Sequence, residues 1–145
     1  MTIEFSYAQA RAQARLGERL TLAAWQSLEA GGTLAQYLHV ARSTELRNRV
    51  RSLTAASSPH SIERSLRRDW RAEVYGAAGW VPERWRPAVV WTAWLCDLPV
   101  LARLEQGGEV PPWMADDKQL GPFAINDGEL RRREFIAAGL GTLAG

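Results

Sequence analysis

Apolar residues recur at helical spacing along most of the chain, and this periodicity predicts an all-α protein. The clearest stripe repeats at intervals of four residues, at Ile62, Leu66, Trp70 and Val74. Ser58 and Pro59 precede it as a favourable N-cap and N1 pair, although Ser61 is a second possible start. We therefore expect a helix here that ends at Gly76 or Gly79.

The N-terminal third predicts one long helix followed by a shorter one. Ser6 and Gln9 have the spacing of a capping box, and helix formers dominate as far as Ala30, with Gly17 as a possible bend before Gly31 and Gly32 end the helix. Thr33 and Gln36 form a second capping box, which opens a short helix interrupted near Ser43 and Thr44. A further turn or two then carries Leu46, Val50 and Leu53 at helical spacing.

The stretch from Ala88 to Leu104 is almost wholly apolar, which predicts the central buried helix. Pro99 lies within it, and we expect the proline to kink this helix or divide it. The stretch is short for a transmembrane span and carries Asp97, so no membrane span is predicted.

The C-terminal region combines an irregular segment with one more helix. The proline-rich stretch that begins at Val110 is expected to wrap the surface as far as Phe123, and Asp127 is expected to cap a last helix. We therefore predict a compact bundle of five to six helices over residues 1–108. Residues 109–145 would form an extended segment and a short helix packed on that bundle.

Composition and the absence of export motifs indicate the number of domains and the compartment of the protein. The chain has 145 residues and 46% hydrophobic residues, values that fit one globular domain. Its single cysteine, Cys96, has apolar neighbours and no partner for an internal disulfide, which favours a reducing compartment. The first five residues lack the basic and apolar regions of a secretory signal, and a twin-arginine-like run at Arg132–Ile136 lies at the wrong end of the chain to be read as one. We expect a cytoplasmic protein.

The sequence offers little that resembles a catalytic or metal centre. His39 and His60 lie apart from any metal-binding motif, and no phosphate-binding glycine loop is present. The adjacent acids Asp116 and Asp117 are typical of a solvated turn. An enzyme would need Asp97, Asp69 or His39 buried with a partner, and nothing in the sequence requires that. We predict no catalytic residues, no cofactor and no metal.

Arginine and tryptophan are the residues in excess. All but one of the 18 basic residues are arginines, and Arg11, Arg15 and Arg19 form a ridge along one helix face. Glutamates near the arginines in sequence can pair with them, which favours ordinary solvated helix faces. Seven tryptophans are present. Trp91 and Trp94 are expected in the core. Arginine and tryptophan are both enriched at protein interfaces, so the remaining residues of these types are candidates for a contact surface. The predicted partner-binding residues are Arg64, Arg67, Arg68, Arg71, Trp80, Trp85 and Trp113.

Three segments resemble one helical unit of the C/d subunit family of V-type and A-type ATPases. They are the Ala/Arg-rich run Tyr7–Leu16, the short run Leu34–Leu38 and the arginine-bearing run Ile62–Arg68. The resemblance covers roughly residues 7–105, and the chain is well under half as long as members of that family. It implies a non-catalytic all-α adaptor without a cofactor.

The sequence therefore predicts a non-catalytic interaction or adaptor protein that docks a protein partner through a Trp/Arg-rich surface. Two alternatives stay open. One is a small enzyme or ligand-binding helical domain. The other is a nucleic-acid binder that uses Arg-rich helix faces and whose affinity falls steeply with salt.

Overall fold

The structure, a computed structural model, describes residues 5–141. Within these residues it contains seven α-helices, several 3-10 turns and no strand, which confirms the predicted all-α class. The helices are α1 (Ser6–Gly17), α2 (Leu22–Glu29), α3 (Leu34–Ala41), α4 (Pro59–Ala78), α5 (Arg86–Trp91), α6 (Leu98–Glu105) and α7 (Gly128–Ala137).

The chain divides into two compact units. Unit 1 ends at Ala93 and unit 2 begins at Trp94. The boundary predicted at residue 108 falls inside unit 2, because α6 supplies Leu101 and Leu104 to the core of that unit.

The predicted long first helix is two helices, α1 and α2. Helix α1 ends at Gly17, and Thr21 then begins α2 as its N-cap, with its Oγ1 accepting a hydrogen bond from the Ala24 N–H at 3.2 Å. The capping box predicted at Ser6 is also wrong, because Phe5 occupies the N-cap position and no side chain caps α1. A glycine followed by a capping threonine is enough to separate two helices.

Helix α1 is held to the rest of unit 1 by side-chain contacts near its surface and buries none of its own residues. The Phe5 ring meets Trp85 edge to face at 6.1 Å, the Arg11 guanidinium lies 5.1 Å from the Trp80 ring centre, and Arg15 bonds Glu73 at 3.2 Å. Contacts of this kind are individually weak. Helix α1 is therefore only weakly attached to the rest of unit 1.

The core of unit 1 is built mainly by short elements. Its buried residues are Leu28, Leu38, Ala41, Val50 and Leu53, and Ile62 from the first turn of α4 packs against them. Thr33 caps α3 by accepting the Gln36 N–H at 3.3 Å, which confirms the predicted start of that helix.

Helix α4 is the longest helix, and it begins as its sequence predicts. Ser58 is the N-cap, its Oγ accepts the Ser61 N–H at 3.2 Å, and Pro59 follows at the first helical position. Val74 and Ala78 are buried near its C-terminal end, and Ser65 is buried in its first half, 3.1 Å from Ser52 Oγ. The burial of α4 is thus concentrated towards its two ends.

The expected central buried helix is divided, and its first part is not buried. Helix α5 ends at Trp91, a 3-10 turn follows over Thr92–Cys96, and α6 starts at Leu98 with Pro99 in its first turn. The predicted division at Pro99 is thus confirmed. Helix α5 buries no residue, and Trp91, expected in the core, is 41% exposed.

The proline-rich segment fills the core of unit 2 instead of wrapping its surface. Met114, Leu120 and Phe123 from this segment are buried with residues of α6 and α7. The Phe123 ring stacks on Phe135 at 5.1 Å and meets Trp94 edge to face at 5.8 Å. Its two short 3-10 turns, Pro112–Met114 and Gly121–Phe123, direct these side chains inward.

Helix α7 begins at the predicted cap and carries a buried arginine. The Asp127 carboxylate accepts the backbone N–H groups of Glu129 and Leu130. Arg131 is only 6% exposed. Its NH1 donates to the carbonyl of Leu104 at 2.6 Å, and its Nε donates to the carbonyl of Ile125 at 2.9 Å. Because Leu104 lies in the last turn of α6, the guanidinium stabilises the negative end of that helix.

We predict that α1 opens locally while the rest of unit 1 stays folded. Hydrogen exchange followed by mass spectrometry should show the amides of Ser6–Gly17 exchanging faster than those of Pro59–Ala78. Glu73→Gln should accelerate exchange in α1 further, because it removes the bond from Arg15. Glu63→Gln, which changes an exposed carboxylate that bonds Arg67 on α4, serves as the control. Equal protection of α1 and α4 would contradict this account.

We also predict a large difference between two adjacent arginines of α7. Arg131→Ala should destabilise the protein by about 2–4 kcal/mol, because it leaves buried carbonyls without their donors. Arg132→Ala, which changes an exposed side chain, should cost less than about 0.5 kcal/mol. Urea denaturation followed by circular dichroism measures both values, and similar losses for the two variants would show that the Arg131 bonds contribute little.

Candidate functional site

Part of the apolar stripe of α4 lies at the surface. Leu66 is 46% exposed and Trp70 is 41% exposed, and Trp25 from α2 is 43% exposed. These three side chains line one groove of about 410 Å³ on unit 1, which we call the α4 groove. Its full lining is Trp25, Tyr37, Leu46, Arg49, Val50, Leu66, Asp69, Trp70 and Glu73.

One wall of the α4 groove comes from three short elements, each started by a threonine. Thr21 caps α2, which carries Trp25, and Thr33 caps α3, which carries Tyr37. Thr44 accepts the Leu46 N–H at 3.2 Å and opens the 3-10 turn Glu45–Asn48. Each capping hydroxyl therefore stabilises the start of an element that carries a groove side chain.

The opposite wall is a single face of α4. Leu66, Asp69, Trp70 and Glu73 follow the spacing i, i+3, i+4, i+7, which places them together on a helix. Trp70 is further positioned by a hydrogen bond from its Nε1 to the carbonyl of Thr92 at 3.3 Å. An indole held in this way presents a pre-positioned apolar surface.

Charged side chains form one rim of the α4 groove. The Glu73 carboxylate bonds Arg49 at 3.1 Å and Arg15 at 3.2 Å, and Arg15 also bonds Glu18 at 3.1 Å. All four side chains are at least 36% exposed, so each pair stabilises the fold only slightly. At this site the ion pairs hold the charged groups of Glu73 and Arg49 against each other.

The predicted arginines lie on another face of α4. Arg64, Arg67, Arg68 and Arg71 have the same spacing as the groove residues but start two residues earlier. At about 100° per residue, that shift turns the two sets roughly 160° apart. Arg64 and Arg68 are exposed, whereas Arg67 and Arg71 are half-buried, and Arg67 bonds Glu63 at 3.7 Å.

The predicted tryptophans also lie away from the groove lining. Trp80 is half-buried under Arg11, and Trp85 is 48% exposed beside Phe5. Trp113 packs against the core of unit 2. The predicted partner-binding arginines thus share α4 with the groove, but the prediction does not include Trp25, Leu66 and Trp70, which line it. The available signal was Asp69 and Glu73, two carboxylates within the apolar stripe.

Unit 2 carries a second groove, of about 470 Å³, with a different character. Glu105, Glu109, Glu129 and Arg132 line it together with glycines at the end of α6, and Arg131 faces it while bonded to carbonyl groups. Charges of both signs and little exposed apolar surface give this groove no clear ligand preference. Despite its smaller volume, the α4 groove is the better candidate.

The remaining polar candidates are dispersed. His39 and His60 are exposed, Asp97 is fully buried at the start of α6, and Asp69 lines the α4 groove. Asp117, expected in a solvated turn, is instead buried, and its Oδ1 accepts the N–H groups of Gln119 and Leu120. Within residues 5–141, no three His, Cys, Asp or Glu side chains are placed to hold a metal ion.

No single helix between residues 5 and 141 has the length and hydropathy needed to cross a membrane. The segment Glu83–Cys96 and helix α6 reach those values only when taken together across a bend.

Comparisons with known proteins return no match to a family model, a curated protein or a solved structure. They leave the resemblance to the C/d subunits of rotary ATPases as a prediction.

We predict that groove residues can be changed with little loss of stability. Leu66→Ser should cost about 1 kcal/mol or less, because the side chain is already half exposed. Leu38→Ala, at a site 2% exposed in the core of unit 1, should cost about 2–5 kcal/mol. Urea denaturation of both variants measures the difference. A loss at Leu66 as large as that at Leu38 would show that the stripe is buried in solution.

Proposed function

We propose that this chain is a non-catalytic interaction protein that docks a protein partner in the α4 groove. The observation that carries the proposal is the exposure of Trp25, Leu66 and Trp70 around one groove. Large apolar side chains gathered at a surface mark binding sites, because leaving them in water forgoes the free energy of burial.

The residue types in the α4 groove support a protein partner over a small substrate. Tryptophan, tyrosine and arginine are the residues that dominate binding energy at protein interfaces, and all three line this groove. The groove is open to solvent along one face of α4, and its walls are helical. A groove between helices suits an amphipathic helix of the partner.

The experiment compares two faces of α4 in affinity purification from cells that naturally express the protein. Trp25→Ser combined with Leu66→Ser should remove the bound partner, because it strips apolar surface from both walls of the groove. Arg64→Ala alters the other face, away from Asp69, and should leave binding unchanged. The recovered partner is then purified and titrated calorimetrically against all three forms.

We expect the groove variant to lose at least about tenfold in affinity, equivalent to about 1.4 kcal/mol. Loss of binding in the arginine variant instead would place the interface on the face predicted from the sequence. Equal binding by all three forms would show that neither face of α4 is used.

A further inference from the structure

Asp69 is a carboxylate in an otherwise apolar part of the α4 groove. It lies between Leu66 and Glu73 on the groove face of α4, and its side chain is 28% exposed. Its ion contact among the described residues is Arg68 Nε at 3.9 Å. Neighbouring residues on a helix do not face each other, and the Arg68 side chain is 70% exposed, so this contact is weak.

The other charges of the groove lining are already engaged. Glu73 and Arg49 bond each other at 3.1 Å, and Glu73 also bonds Arg15. A partner that brought an acidic residue to Arg49 would compete with an existing pair. A partner that brought a cation to Asp69 would displace only the long contact to Arg68. The charge of the lining is therefore complementary to a basic group.

Aromatic rings strengthen this preference. Trp25, Tyr37 and Trp70 line the same groove, and the faces of aromatic rings attract cations. Lysine and arginine carry their charge on an apolar stem, which can lie along Leu66 while the charged end reaches a carboxylate. Arginine fits best, because its planar guanidinium both stacks on aromatic rings and pairs with a carboxylate.

We propose that the occupant of the α4 groove is an amphipathic helix of a partner protein that presents a basic side chain, arginine foremost, to Asp69 from within its apolar face. This inference rests on the proposed function and specifies the chemistry of the partner. The apolar residues of that helix cover Trp25 and Leu66, and the basic residue sets its register in the groove.

The test selects peptides of about 16 residues from a displayed random library on the immobilised full-length protein. Peptides that also bind the Trp25→Ser, Leu66→Ser variant are removed. We expect the remaining pool to be enriched in arginine or lysine among aliphatic residues. A representative peptide is then synthesised with its basic residue intact and with that residue replaced by citrulline, which keeps the shape and removes the charge.

Asp69→Asn should weaken the arginine peptide about tenfold, and the citrulline peptide should bind the native protein and the variant with equal affinity. That pattern would show a direct coupling between the two groups. Glu63→Gln, an exposed carboxylate on α4 that is not part of the groove lining, is the matched control and should leave the affinity unchanged. Asp69→Lys should abolish binding of the arginine peptide.

The outcomes separate this inference from the proposal on which it rests. Enriched peptides that need Trp25 and Leu66 but lack a basic residue, or that are insensitive to Asp69→Asn, would overturn the inference and leave the docking proposal intact. A library that yields no groove-dependent peptide would overturn it too. Self-association that Leu66→Ser abolishes, measured by light scattering, would replace the partner helix with a second copy of the chain.

Discussion

The difference in length between α4 and the helices around it determines the surface of unit 1. Helix α4 has 20 residues, whereas α2 and α3 have 8 each. At about 1.5 Å per residue, α4 extends for roughly 30 Å and its neighbours for about 12 Å each. Ile62, in the first turn of α4, packs on the core to which α2 and α3 contribute, and Val74 and Ala78 are buried near the other end of the helix. Leu66 and Trp70 lie between these two regions, where side chains of α2 and α3 form the opposite wall of the groove and leave both residues more than 40% exposed.

Local features of the sequence predicted where several elements begin. A serine, threonine or aspartate followed by a helix-forming run identified the caps at Thr33, Ser58 and Asp127, because capping depends on a side chain and a backbone amide three residues away or fewer. The same reasoning failed at Ser6, where Phe5 occupies the cap position instead. The prediction of one long first helix was wrong because two local features act together: α1 ends at Gly17, and Thr21 caps the start of α2.

Burial was predicted less well, because it depends on which elements meet in space. Trp91 belongs to an apolar run and is nevertheless 41% exposed, since α5 is short and buries no residue. The proline-rich segment gave no helical pattern, yet it supplies Met114, Leu120 and Phe123 to the core of unit 2. An irregular segment can fill a core wherever its turns direct apolar side chains inward. Its sequence has no regular spacing of apolar residues from which that burial could be predicted. The arginines of α4 that the sequence analysis named as partner-binding residues lie on the face turned away from the groove, and their role stays a prediction.

The carboxylates within the stripe of α4 provide a physical criterion that separates a core face from a binding face. Burying an ionised carboxylate costs several kcal/mol unless a partner and hydrogen bonds compensate for it. A helix face that carries Asp69 and Glu73 beside Leu66 and Trp70 can therefore be fully buried only if cations are supplied to both acids. Among the residues that the structure describes, unit 1 supplies them to Glu73 through Arg15 and Arg49, whereas Asp69 has the distant contact to Arg68. The face thus stays partly in water within this chain, which is the physical basis for proposing a basic group as its occupant.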